Sequence, residues 1–180
     1  QIKKDLTINI PFNCNSFENQ NNLTHIKEND SKKNRSISDR NDISDDYQIH
    51  MIYILTNDDN DNEFDINGKG EQFLNELKKE LHKKSSKKIH FDYDENNKHD
   101  ISFVRIPLNH SEIFSKSKEN ELNSIEIIST YLSKIGFNNP NKLYLAILDK
   151  PIICGNKACK INNPNLIKGL NIIVSTRYDI

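Results

Sequence analysis

The chain has 180 residues, the length of one ordinary domain with a single core. Its 25 Lys and Arg balance 26 Asp and Glu, for a net charge of −1 with no basic stripe, which argues against nucleic acid or an anionic membrane surface as partner. No run approaches about 18 apolar residues, so no segment reads as a membrane span.

A hydrophobic content of 34% and a mean hydropathy of −0.77 are low for a chain folded throughout, so part of it is expected to be disordered. The 27 Asn, with many Lys and Ile, are the composition of an AT-rich coding sequence and carry no chemistry. Three Asn-x-Ser/Thr sequons, at Asn22, Asn34 and Asn109, are expected by chance in so Asn-rich a chain.

Residues 1–46 separate from the rest. Thr7 to Ile10 reads as a short strand closed by Pro11. Residues 13–46 are mostly Asn, Ser, Asp, Lys and Glu and follow neither the helical nor the strand period. Such a stretch cannot bury enough apolar surface to offset ordering at about 1–2 kcal/mol per residue. It reads as a low-complexity, disordered linker or pro-region.

The folded part is expected over residues 47–180. A strand over 49–55 leads into an acidic turn over 56–65. A helix follows from Gly70 to about Lys84, with Phe73, Leu74, Leu77 and Leu81 as its apolar stripe. A second strand over 89–93, a polar hairpin-like turn over 94–99 and a third strand over 101–108 come next. A second helix spans 119–135, with Leu122, Ile125, Ile128, Leu132 and Ile135 inward. Gly136 supplies its left-handed C′ residue, and Asn138, Asn139 and Pro140 make the turn. Residues 143–148 are apolar throughout, as in a strand buried on both faces, and 170–175 is a fifth strand. This order predicts an α/β fold, a mixed sheet of about five strands with two helices and at least one helical crossover. The chain begins with Gln, shows no apolar signal segment, and its last residues read like the middle of a fold. The expectation is a mature form or a piece of a longer protein, with 47–180 an incomplete domain.

Several constellations invite a chemical reading. Asp65 as the first position of a calcium loop puts Asn67, Gly70 and Glu76 in register, but Lys69 falls on a ligand position and Gln72 on the usual apolar one. A solvated strand-to-helix turn is the better account. His90, Asp92 and Asp94 share one face if their strand is regular, close to His99 and Asp100. They can be metal ligands, or the wet face of a strand whose Ile89, Phe91 and Tyr93 face the core. The clean alternation favours the second. His110-Ser-Glu112, with Pro151, Cys154 and Cys159 later, is similar to the zinc nucleobase deaminase pattern, but the spacings depart from it. Cys154 and Cys159 can be half of a four-cysteine zinc site, but no second Cys pair accompanies them; a local disulfide, a reduced pair, or a bond to a residue beyond Ile180 are the more ordinary outcomes. Cys14 stands apart.

One run gathers more. Residues 134–155, Lys-Ile-Gly-Phe-Asn-Asn-Pro-Asn-Lys-Leu-Tyr-Leu-Ala-Ile-Leu-Asp and then Cys154-Gly155, resemble a segment of secreted bacterial zinc-metalloprotease-like (zincin) proteins. The likeness extends upstream. Residues 49–56 and their Asp-rich turn resemble the family's first strand and loop. Phe73 to Leu81 falls at its first helix. His90-Phe-Asp-Tyr followed by Asp100-Ile-Ser-Phe-Val-Arg-Ile-Pro is similar to its Arg-x-Asp-Thr-Tyr and Asp-x-x-Phe-Val-Arg-Leu-Pro pattern. Residues 125–137 resemble its second helix. About residues 47–155 are covered, and the shared order carries more weight than any single motif.

The resemblance implies a zincin-like N-terminal subdomain, the upper wall of a cleft, in an extracellular zinc peptidase acting on protein or peptide substrates. In such enzymes a later helix carries His-Glu-x-x-His, whose His bind zinc and whose Glu activates water. None of the six His here precedes Glu. No catalytic and no metal residue carries over, and zinc would belong to the full-length parent. Lys157 and Ala158 also depart from the Gly-rich continuation after the Cys-Gly turn. By the same resemblance, Cys154 belongs to a disulfide that pins the loop, with Cys159 or with a residue beyond Ile180. The rival is a non-catalytic interaction or inhibitory α/β domain.

Overall fold

A computed structural model describes residues 34–86, 88–114, 121–150, 153–154, 157–158 and 171–176. In chain order the elements are β1 (Gln48–Leu55), α1 (Lys69–Lys84), β2 (His90–Phe91), β3 (Ile101–Arg105), α2 (His110–Phe114), α3 (Glu121–Lys134), β4 (Lys142–Leu148), β5 (Ile153–Cys154), β6 (Lys157–Ala158) and β7 (Ile172–Thr176).

The fold is α/β, with a five-stranded sheet built around β1. β4 runs along one side of β1 for its whole length, from Gln48 beside Lys142 to Ile54 beside Leu148. β7 lies outside β4. The other side of β1 is shared: β2 covers Gln48 and Ile49, and β3 covers Met51 to Leu55. Every pairing in this sheet is parallel, so the connections must cross over, and the described helices do so. The antiparallel pairs are the small β5–β6 ribbon and a bridge between Tyr93 and His99.

The alternation of side chains along β1 explains why both faces need cover. Ile52 and Ile54 pack with Ile125, Ile128, Tyr131 and Leu132 of α3. Met51, Tyr53 and Leu55 pack with Leu74 of α1, and Phe73, Leu77 and Leu81 lie partly buried against them. The expected apolar stripes of both helices are therefore the contact faces. Leu122 lies outside the described side chains.

Two glycines serve the helices differently. Gly136, at φ 114°, ends α3: Phe137 N–H donates to Leu132 O at 3.0 Å and Gly136 N–H to Ser133 O at 3.3 Å, the paired bonds of a Schellman ending. Phe137 and Leu132 are both buried in the same core. Gly70 lets α1 approach the sheet. A Cβ there would stand 2.8 Å from Phe64 O and 3.2 Å from Met51 Cε.

The strands over 89–93 and 101–108 are shorter than their sequences suggest. β2 ends at Phe91 because Asp94 closes a tight turn, accepting from Asn96 N and Lys98 N at 2.9 and 3.0 Å. β3 ends at Arg105, just ahead of Pro107, which cannot donate to a ladder.

From residue 34 onward the segment expected to be a linker lies against the domain. Ser36 bridges Ser102 in parallel, and its carbonyl accepts from Phe103 N at 2.7 Å. The Arg35 side chain is 1% exposed. Ionic contacts, not an apolar stripe, hold this strap of residues 34–46. The expected strand over residues 7–10 lies outside the described residues.

Gly70→Ala should lower the unfolding free energy by about 1–3 kcal/mol, the usual cost of overpacking, as read from urea denaturation.

Candidate functional site

Seen along the strands, polar side chains collect at the beginning of β1 and β4, on the face that α3 covers. His50 is fully buried between Asp92 and Ser102. Its Nδ1 lies 2.7 Å from Asp92 Oδ2 and its Nε2 2.9 Å from Ser102 Oγ. Ser102 in turn reaches Ser38 O on the strap at 2.9 Å. Lys142, two positions before Tyr144 and so on the same face, donates to Asp92 Oδ2 at 2.6 Å and pairs with Asp39 and Asp42 of the strap. Tyr144 O–H donates to Asp39 Oδ2 at 2.6 Å. Arg40 closes the outer edge on Asp100 Oδ1 at 2.9 Å.

The charges in this group hold each other. Burial pushes the Asp92 carboxyl up, but hydrogen bonds from His50 and Lys142 outweigh it and leave it below the usual carboxylate range. Burial pulls the Lys142 ammonium down, and its bonds to Asp39, Asp42 and Asp92 outweigh that in turn, holding it above the usual lysine range. Burial first, then the bond to Asp39, pushes the Tyr144 phenol up, so it stays protonated and donates.

Asp39, His50, Asp92 and Asp100 offer ligand atoms within 4.8 Å of one another. They do not fit zinc. Such a site needs several neutral His or thiolate donors, and here there is one His among carboxylates. Lys142 already supplies the cation to Asp39 and Asp92, and Arg40 to Asp100. A neighbouring cavity of about 100 Å³, lined by Ser133, Phe137, Asn139 and Tyr144, is well below the roughly 300–1,000 Å³ of ligand pockets.

The opposite end of the sheet is where open parallel sheets place ligands, in the crevice where strand order reverses, here between β1 and β4. Its carboxylates are also engaged from within. Asp58 Oδ1 accepts from Thr56 Oγ1 at 2.8 Å and His110 N at 2.7 Å. Asp59 Oδ2 accepts from Thr56 N at 2.9 Å, and its Oδ1 pairs with Lys150. Asp149 accepts from Tyr53 O–H at 3.0 Å and Asn62 Nδ2 at 2.6 Å. Arg105 donates to Thr56 O and Asp59 O at 2.9 and 3.0 Å. The arrangement fixes the loops after β1 and β4.

The sequence-level constellations come apart. His90 sits 3.3 Å from Asp46 and Asp94 caps its turn, while Asp92 turns inward to His50. Asp92 is thus a buried charge, and not part of a wet face. His99 is buried against Glu71 at 2.7 Å and stacks on Tyr93. In the calcium-loop frame, Asp65 holds Arg35 at 2.6 Å, Asn67 caps Lys69 N at 2.9 Å and Glu76 bonds Gln72 on the exposed helix face at 3.0 Å, so the three do not converge. Glu112 of the His-Ser-Glu run accepts from Asn109 N at 2.7 Å, the glutamate half of a capping box at the start of α2. Cys154 is in β5, but Cys159 and any bond between the two lie outside the described residues.

His50, Lys142 and Asp39 were missed as site residues. Two of them carry a signal, His50 as a lone His inside the apolar run of β1 and Lys142 as a Lys opening β4, each at an inward position, whereas Asp39 lies in a segment with no period. No protein-family model, no curated protein and no solved structure matches the chain.

Asp92 is held ionised by folding, so its contribution is present above the unfolded carboxylate pKa of about 3.9 and is lost as pH falls below it. Asp92→Asn should therefore cost about 3–5 kcal/mol at pH 7, because Lys142 and His50 lose their shared acceptor charge. The gap from wild type should narrow below about pH 4, measured by urea unfolding at both pH values.

Proposed function

We propose that the chain is the sheet-forming N-terminal part of a secreted zinc-dependent peptidase-like protein and is inactive by itself. The observation that carries this reading is where the polar residues of the shared motifs lie. Asp92, Lys142 and Tyr144 meet in one buried group. Arg105 and Asp149 brace the loops at the other end of the sheet. We read these motif residues as structural, with the chemistry supplied by residues of the longer parent protein that the resemblance implies. Zinc and a peptide substrate would belong to that parent, since the residues here do not fit the metal.

Two tests follow from this reading. The coding sequence downstream of the Ile180 codon should encode His-Glu-x-x-His within about one further domain length. A stop codon directly after Ile180 would contradict it and leave a non-catalytic interaction domain. Purified residues 1–180 should not cleave casein, and chelator-sensitive cleavage would overturn the assignment.

A further inference from the structure

The Asp-rich turn after β1 does something that neither the calcium reading nor the peptidase reading uses. It forms a socket that grips one guanidinium group. Arg35 Nη1 lies 2.9 Å from Asp61 Oδ2, and Nη2 lies 3.4 Å from Asp61 Oδ1 and 2.6 Å from Asp65 Oδ1. The guanidinium carbon sits 3.9 Å over the centre of the Phe103 ring. The side chains of Arg35 and Asp65 are each 1% exposed, and Phe103 is 1% exposed. A carboxylate fork below an aromatic platform selects the planar guanidinium over an ammonium.

Asp61 is braced from outside the occupant, whereas the buried Asp65 carboxylate takes its cation from Arg35. Asp61 Oδ1 also accepts from Glu63 N at 2.8 Å, and Asn67 N donates to Glu63 O at 2.8 Å. Asn67 Nδ2 donates to Asn62 O at 2.9 Å, and Asn62 is tied to Asp149 at the end of β4. Phe103 is fixed in β3 beside Tyr53. The second oxygen of Asp65 is buried and has no hydrogen-bond partner among the described residues. Two carboxylates therefore face one guanidinium. Beside the socket the occupant's backbone meets the sheet at the Ser36 bridge, while farther along the strap Ser38 O and Ser44 O accept from Ser102 and Gln48, and Asp39, Arg40 and Asp42 pair with Lys142 and Asp100.

We propose that Asp61, Asp65 and Phe103 form an arginine-binding site, occupied in cis by Arg35, that takes an arginine side chain of a second polypeptide when the strap is displaced. This inference does not depend on the peptidase reading, since it concerns only residues of this chain and needs no metal.

The test uses the full chain, with Nα-acetyl-arginine amide as probe and Nα-acetyl-lysine amide as control. In Arg35→Ala the melting temperature should fall below wild type. It should then climb saturably with the arginine amide, as for a ligand that binds only the folded state, and much less with the lysine amide. In the wild-type protein the Phe103 amide, bonded to Ser36 O, should exchange faster with solvent once the arginine amide exceeds the roughly millimolar effective concentration of a tethered segment. Absence of either effect, or an equal response to the lysine amide, overturns the proposal. If Arg35→Ala does not fold, the wild-type exchange measurement decides alone.

Discussion

The Lys142 ammonium is shut away from water, and everything around the start of the sheet follows from what it needs. An isolated ammonium in a protein interior is strongly disfavoured, so it must be surrounded by acceptors. Asp92, which follows β2, supplies one, and Asp39 and Asp42 of the strap supply the others. Because Lys142 opens β4 and Asp92 also holds His50 of β1, one cation ties together β1, β2, β4 and the strap. What the ammonium adds is specificity, because a strap or strand docked in another register would strand its charge.

The parts of the fold that depend on apolar period could be read directly. β1, β4 and the stripes of α1 and α3 are runs of Ile, Leu, Val and aromatic residues whose spacing states their face. The Schellman end at Gly136 is likewise local chemistry, written in one residue type at one position. The strap was not readable in this way. Arg35, Asp39 and Arg40 sit among Asn, Ser and Asp with no period, and they bind through ion pairs and hydrogen bonds to residues up to about a hundred positions away. A pattern search weighs apolar area, and this segment docks with almost none.

The candidate site illustrates the same limit. His90, Asp92, Asp94, His99 and Asp100 are neighbours in sequence, and each finds a different partner, Asp46, His50, the Asn96 amide, Glu71 and Arg40 in turn. The group that does form takes only Asp92 and Asp100 from that cluster and adds His50 and Asp39. Sequence proximity suggested a ligand set, whereas burial built a charge network with its own cation inside. Polar residues at inward positions of otherwise apolar strands were the more informative signal, since each must find a partner somewhere in the fold.

The central claim is that Asp39 and Lys142 are energetically coupled, joining strap to sheet. A double-mutant cycle with Asp39→Asn and Lys142→Met, read from urea unfolding at pH 7, measures that coupling directly. A coupling of about 1–3 kcal/mol is expected, as for residues in one buried network. Additivity within about 0.3–0.5 kcal/mol would contradict it and leave the strap a bystander on the sheet.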